Sequence, residues 1–137
     1  MFKGTKGVGG TIMRWLVDGM NVVGSRPDGW WRDRRGAMTR LALSMAEFAT
    51  ATGEPLTVVF DGSPFDLSAP GIDIAFAPRR GRNAADDEIA KRVEQDENPL
   101  TLTVVTSDRE LIERITRANA RHMTAGAFRS LLDHPPA

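Results

Sequence analysis

The sequence predicts one three-layer α/β/α domain with a mostly parallel sheet of about five strands. Short apolar runs of strand length alternate with longer stretches whose apolar residues recur three and four positions apart, and this alternation is typical of strand–helix–strand units. Two of the runs end directly in an aspartate, and a third is followed by Thr106, Ser107 and then an aspartate. At 137 residues the chain is long enough for one such domain and too short for two ordinary ones.

Five strands are predicted, over residues 15–17, 56–60, 72–77, 102–105 and 121–123, the last of them short and weak. Helices are predicted over residues 31–52, 84–95, 109–119 and 127–133. Gly53 and Pro55 are stop signals for the first helix, and Pro135 ends the domain. No helix is expected between the second and third strands, where glycine and proline indicate a loop.

The composition is that of a soluble globular protein, with 41% hydrophobic and 26% charged residues. No run of 18 apolar residues occurs, so we expect no membrane span. The lack of cysteine excludes disulfides and thiolate metal sites and favours a cytoplasmic location. The net charge of zero argues against a surface that binds polyanions everywhere, and it leaves room for a local basic patch.

The domain is expected to span residues 13–134, followed by a tail at 135–137. Residues 1–12 contain glycine and lysine but no apolar segment of the kind found in signal peptides. We interpret them as a flexible extension or a cloning remnant, with Met13 as the natural start.

Aspartates follow three of the predicted strands, at Asp18, Asp61 and Asp108. Because parallel strands end at the same edge of a sheet, their carboxylates are expected at one rim. Asp86 and Asp87 begin a helix that should start near that rim. Gathered carboxylates repel, and burying them is costly unless a cation neutralises them. Mg²⁺ or Mn²⁺ is the cation that oxygen ligands favour, and phosphodiester hydrolysis is the chemistry that such a site performs.

Each of these residues also has a purely structural interpretation. Asp18 and Asp61 each precede a glycine, as turn residues do, and Asp86 and Asp87 suit the positive end of a helix capped by Asn83. Asp108 suits a first helical turn in the same way. We favour a functional site because the alternative requires a separate structural explanation for each aspartate, and all of these aspartates are expected at the same rim.

Two further positions allow both interpretations. Asn21 follows Asp18 by three residues, and its amide suits either the orientation of a carboxylate or the capping of a turn. Ser107 and Glu110 have the spacing of a capping box, so we assign both mainly to structure.

Four segments together resemble the NYN domains of the PIN-like nuclease superfamily, and within it the bacterial YacP-like branch. They are D-G-M-N at 18–21, F-D-G at 60–62, A-D-D-E-I at 85–89 and T-S-D at 106–108. Each is weak alone, but the four occur in the family's order, and the similarity covers about residues 14–133.

The resemblance implies a Rossmann-like PIN fold and an Mg²⁺- or Mn²⁺-dependent ribonuclease that acts on RNA. It implies metal-binding roles for Asp18, Asp86 and Asp108, with Asp61 and Asp87 as partners; we include Asp87 among the metal ligands, and Asn21 as a supporting catalytic residue. A homodimer is a further expectation by resemblance. Many relatives place a glutamate among these acids, but Glu47 lies within the first helix and should face solvent, so we leave it out.

Arginines flank the expected site and suit RNA phosphates, because a guanidinium donates two parallel hydrogen bonds. One group follows the first strand and the other precedes Asp86; they are Arg32, Arg34, Arg35, Arg79, Arg80 and Arg82. Trp30 is placed to stack a base of a single-stranded region. One ring of the Trp30–Trp31 pair is expected to pack into the core.

Two other functions remain open on the sequence. The first is an RNA-binding or assembly module that keeps the fold without turnover. The second is an Mg²⁺ phosphatase with an aspartyl nucleophile, which is disfavoured because Met20 stands where such enzymes carry a second acidic residue.

Overall fold

The computed structural model describes residues 12–77 and 83–135, and there the chain forms five strands and five α-helices. The strands are β1 (Arg14–Asp18), β2 (Leu56–Phe60), β3 (Asp73–Phe76), β4 (Leu102–Val105) and β5 (Arg121–Met123). The helices are α1 (Gly19–Val23), α2 (Arg34–Thr52), α3 (Ala84–Glu94), α4 (Arg109–Arg117) and α5 (Ala125–Asp133). Two 3-10 turns cover Trp30–Arg32 and Pro99–Thr101.

The five strands form one sheet in the order β3-β2-β1-β4-β5, and every neighbouring pair is parallel. The chain moves outward from β1 to β2 and β3 and then returns to the other side of β1 for β4. The carboxyl ends of β1 and β4 therefore flank a topological switch point, which is where open α/β sheets bind ligands.

Helices cover both faces of the sheet, because successive residues of a strand point to opposite sides. Val17 packs with the layer of α1, α2 and α5, whereas its neighbour Leu16 packs with α3 and α4. Phe48 and Phe128 are buried in the first layer, and Ile89 in the second. The three-layer α/β/α fold predicted from the sequence is confirmed.

Most predicted elements lie where the sequence indicated, including the helix-free connection over residues 61–72. The helix α1 was not predicted, because five residues are too few to show a helical repeat. The last helix begins at Ala125 rather than at residue 127, because the Thr124 hydroxyl caps it by accepting from the Ala127 N–H at 3.2 Å.

Parts of the predicted domain boundaries fall outside the described residues: residues 1–11 of the expected extension, and residues 136–137 of the tail. Within the described ranges, none of the helices combines the length and the apolar character needed to cross a membrane.

Gly19 is required for close packing directly after Asp18. A Cβ atom there would lie 2.4 Å from Phe60 Cδ1 and 2.9 Å from Val58 Cγ2, well inside contact distance. Phe60 is fully buried, so its ring has little room to move. The absence of a side chain at Gly19 therefore lets α1 turn tightly against β2 and keeps Asn21 near Asp18.

We predict that Gly19→Ala lowers the free energy of unfolding by about 1–3 kcal/mol, the usual cost of overpacking a core. Gly126→Ala is the matched control, because a Cβ at this helical position meets nothing within 4 Å and should raise stability by about 0.5–1 kcal/mol. Urea unfolding of both variants measures the difference, and a neutral Gly19→Ala would contradict the packing account.

Candidate active site

A cavity of about 640 Å³ opens at the carboxyl ends of β1, β2 and β4. Five of the predicted site residues line it together: Asp18, Asn21, Asp61, Asp86 and Asp108. Met20, Asn83 and Glu110 complete the lining. Residues from four distant stretches of the chain thus meet at the switch point.

Asp18 is the most deeply placed of these acids, with an exposed fraction of 4% at the end of β1. Its Oδ2 accepts a hydrogen bond from the Thr106 hydroxyl at 2.9 Å, and the backbone N–H of Asn21 donates to the same carboxyl group. Burial, followed by the negative charges of Asp86 and Asp61, raises the pKa of Asp18 to about 7, against the opposing effect of the Thr106 hydrogen bond.

Asp86 has a second raised pKa, of about 6, caused first by burial and then by the charges of Asp108, Asp61 and Asp87. The guanidinium of Arg114 opposes this shift. The two perturbed carboxyl groups belong to one electrostatic cluster, because each shift includes repulsion from other acids at the cavity.

Asp61 joins β2 to the start of α3. Its Oδ1 accepts from the Ala85 N–H at 3.1 Å, while its backbone carbonyl accepts from Arg34 Nη2 at 3.4 Å. The predicted cap, Asn83, precedes the helix but makes no capping hydrogen bond with its side chain. Asp61, at the end of β2, therefore supplies the hydrogen-bond acceptor for the first turn of α3 that Asn83 does not provide.

Asp108, not Ser107, caps α4. The Asp108 Oδ1 accepts from the Leu111 N–H at 2.9 Å, whereas the Ser107 hydroxyl accepts from the Ala125 N–H at 3.0 Å. The predicted capping box of Ser107 and Glu110 was therefore wrong, because the helix begins one residue later than that pattern requires. Glu110, assigned to structure on the sequence, lines the cavity.

Thr106 is a site residue that sequence reasoning missed. It is fully buried, and its Oγ1 both donates to Asp18 and accepts from the Asp108 N–H at 3.1 Å. Its place directly before Ser107 and Asp108 was the available signal. The Asn21 side chain adds a second link, since its Oδ1 accepts from the Ser107 N–H at 2.8 Å.

Asp87 is directed away from this set. Its carboxylate accepts from Arg114 Nη1 at 2.9 Å, its side chain is 46% exposed, and it is not among the residues that line the cavity. Its place on α3 explains the difference, because neighbouring helical residues point about 100° apart.

The predicted RNA-binding arginines occupy different settings. Arg34 lies at the end of β2 beside Asp61, Arg35 stacks on the Phe65 ring at 4.6 Å, and Arg32 is exposed. The second predicted group, Arg79, Arg80 and Arg82, lies outside the described residues.

The two tryptophans separate as expected, one on the core and one in solvent. Trp30 packs against the core of the α1, α2 and α5 layer, whereas Trp31 is 56% exposed. The ring assigned to base stacking on the sequence is thus the partly buried one, and the exposed face belongs to its neighbour. Glu47 is exposed on α2, as expected.

The donor set fits a hard divalent cation in its chemistry. The cavity is lined by carboxylate and amide oxygens, and neither histidine nor cysteine is among the lining residues. In the described ranges, no three acidic or histidine side chains already converge on one point as ligands. Mg²⁺ commonly keeps several waters and takes only one or two carboxylates directly, so a wide acidic cavity suits it.

Comparison with known proteins identifies the family of this chain and two similar crystal structures. The chain matches the family model of the YacP-like NYN domain over residues 15–135. It is similar to the crystal structure of Rae1 (YacP) from Bacillus subtilis, with a TM-score of 0.73 and 24% identity over 89% of this chain and 74% of that one. A single-site mutant of the same protein gives 0.75 and 25%, over 89% and 76%. No protein with a curated functional description matches significantly.

The family match covers most of the domain, and the structural similarity covers 89% of the chain. Both support a nuclease-type function related to RNA. The chain belongs to the YacP-like NYN domain family.

Proposed function

We propose that this protein is a metal-dependent ribonuclease that hydrolyses RNA phosphodiester bonds in the acidic cavity. The observation that carries the proposal is the burial of Asp18 in a cavity shared with Asp61, Asp86 and Asp108. Carboxylates gathered at the switch point repel one another, so their arrangement favours a site that binds a cation and a charged substrate. Membership of the NYN family supports RNA as the substrate.

Asp18, Asp86 and Asp108 are proposed to hold Mg²⁺ or Mn²⁺, with Asp61 as a partner. Asp87 stays a secondary candidate, because its contact with Arg114 would have to change. A bound divalent ion supplies charge stabilisation for the phosphate and a more acidic water for attack on phosphorus.

The chain's own contribution is positioning. Thr106 connects Asp18 to the backbone of Asp108, and Asn21 ties α1 to the loop before α4. Asp61 and Asp108 each use a named Oδ1 atom to cap a helix. These bonds limit the rotation of the carboxylates, so little reorganisation is needed when the substrate's charge arrives.

Arg34 is the described arginine best placed for the RNA strand, because its guanidinium lies at the end of β2 beside Asp61. Arg32 is retained as a second contact, together with Arg79, Arg80 and Arg82 of the other basic segment. Arg35 is more restricted, because it stacks on Phe65.

We predict that Asp18→Asn and Asp86→Asn each lower the rate of Mn²⁺-dependent RNA cleavage by about 10²–10³-fold, the usual scale for one lost charge contact in a preorganised site. Asp87→Asn should lose less, because Asp87 lies outside the cavity. Asp73→Asn, on an exposed strand residue at the opposite end of the sheet, is the matched control. Cleavage by Asp18→Asn at the rate of the control would remove the proposal, and RNA binding without products from the parent chain would favour a non-catalytic module.

The raised pKa of Asp18 predicts how stability depends on pH. The folded state holds its proton up to about pH 7 and the unfolded chain only to about 3.8, so the folded state binds more protons between these values. Stability from this group is therefore fully present below about pH 4 and is lost as pH rises through about 7.

Without metal, Asp18→Asn should consequently be more stable than the parent chain at pH 8, by up to a few kcal/mol, and the advantage should vanish near pH 4. Urea unfolding of both proteins across this range measures the difference, in which contributions from groups that are not coupled to Asp18 cancel. A difference that stays constant with pH would contradict the burial of an ionised Asp18.

A bound metal ion should offset the destabilisation that the ionised Asp18 causes at high pH. Adding Mn²⁺ at a hundred times its dissociation constant should raise the stability of the parent chain by about 2.7 kcal/mol. Thermal melting at pH 8 measures the effect, which should be lost in Asp18→Asn and kept in Asp73→Asn. Equal stabilisation of all three proteins would place the cation elsewhere.

A further inference from the structure

A second cavity, of about 160 Å³, is lined by residues of α1, α2 and α5 and of the segment between α1 and α2. Three arginines line it, Arg26 from the loop after α1, Arg40 from α2 and Arg129 from α5. Asp28 and Asp133 also line it, and Val23, Leu41 and Trp30 contribute apolar surface. It shares no lining residue with the acidic cavity.

The charges around this cavity do not cancel. Arg129 Nη2 donates to Asp28 at 3.3 Å, and Arg26 forms an ion pair with Asp133. Arg40 is exposed, and in the described part of the chain no carboxylate lies within ion-pair distance of it. One positive charge is therefore in excess.

Arg129 is the least exposed of the arginines whose contacts at this cavity can be described, and its position is fixed by hydrogen bonds. Its side chain is only 18% exposed, and its Nη1 donates to the Val22 carbonyl at 3.0 Å. Burial, followed by repulsion from Arg26, lowers the pKa of Arg129. Asp28 and Asp133 oppose the shift, and because a guanidinium remains protonated in proteins, Arg129 keeps its positive charge in the cavity.

We propose that the cavity binds a phosphate of a single-stranded RNA while Trp31, beside it, stacks a neighbouring base. The inference rests on the proposed function, because it describes where the same substrate continues beyond the acidic cavity. A phosphate matches the excess charge, and arginine recognises phosphate with paired hydrogen bonds. The volume corresponds to about five waters, so it admits a phosphate and excludes a whole nucleotide.

The aromatic residues favour a nucleic acid over a small anion. Trp30 forms part of the cavity wall, and the Trp31 ring meets it edge to face with 5.9 Å between the centroids. Trp31 is 56% exposed, so a face of its ring is open to a base. Stacking of this kind does not depend on the base and is typical of single-strand binding.

The helix α1 connects the two cavities. Asn21 lines the acidic cavity and Val23, two positions later in a helix of only five residues, lines the basic one. Helical residues two apart point about 160° apart, so an RNA strand that occupies both cavities passes around this helix, which is only about 7.5 Å long.

The test measures binding of a fluorescent single-stranded RNA of about twelve nucleotides to the full chain carrying Asp18→Asn, in metal-free buffer. Adding Arg40→Ala should weaken binding about tenfold, to a similar extent for different sequences, and reduce the slope of log affinity against log salt by about one. Trp31→Ala should weaken it about fivefold or more and remove most of the tryptophan quenching.

Arg92→Ala is the matched control, since Arg92 is an exposed arginine on α3 in the opposite layer. Arg40 is exposed and its removal breaks no ion pair in the described residues, and unchanged melting confirms that the variant folds. Inorganic phosphate should compete with RNA on the Asp18→Asn chain more effectively than on its Arg40→Ala derivative.

Equal RNA affinity for the Arg40→Ala and Arg92→Ala proteins would overturn the proposal. Binding of inorganic phosphate or of an acidic peptide to the cavity would not rescue it, because the proposed occupant is RNA. That result would leave cleavage at the acidic cavity untouched. Conversely, weaker RNA binding after Arg40→Ala, together with no RNA cleavage by the parent chain in the presence of Mn²⁺, would support this site and reject the nuclease.

Discussion

The desolvation of Asp18 is the constraint on which the site depends. A carboxylate that is 4% exposed can ionise only if something compensates for the lost water, and its acidic neighbours increase the cost. Hydrogen bonds from Thr106 and from the Asn21 backbone N–H offset part of this cost, because they stabilise the ionised carboxylate. In the proposed function, a bound cation would offset the remaining cost and would in turn attract a substrate that carries phosphates.

The surrounding elements serve the same arrangement. Gly19 allows α1 to leave β1 at once, which places Asn21 near the loop before α4. Asp61 and Asp108 hold α3 and α4 by their first turns, so the two helices that border the cavity are fixed by acids that also line it. Under the proposed function these acids would serve both stability and catalysis, so removal of one of them should affect both.

Much of this could be predicted from the sequence. An apolar strand followed by an aspartate is a local pattern, and parallel topology brings the ends of such strands together, so Asp18, Asp61 and Asp108 were accessible to reasoning. The helical spacing of α2 and the short apolar run of β4 were equally clear. What these patterns could not supply was the direction of a side chain within its element. Asp86 and Asp87 are adjacent in sequence, yet only Asp86 lines the cavity.

The remaining features depend on contacts between distant segments. No local signal shows that Asp61 caps α3, that Thr106 joins two acids, or that Trp31 rather than Trp30 is exposed. The second cavity combines Arg26, Arg40 and Arg129 from three separate segments, and no sequence motif indicates that they lie together. Such features follow from tertiary packing, which composition and periodicity do not determine.

The most direct measurement is a carbon-13 NMR titration of the aspartate carboxyl groups with and without Mg²⁺. The account predicts that, in the absence of metal, Asp18 titrates with a pKa of about 7 and Asp86 with a pKa of about 6, and that Mg²⁺ lowers both pKa values. Ordinary aspartate values near 4 without metal, and no response to its addition, would contradict a cavity that gathers carboxylates to hold a cation.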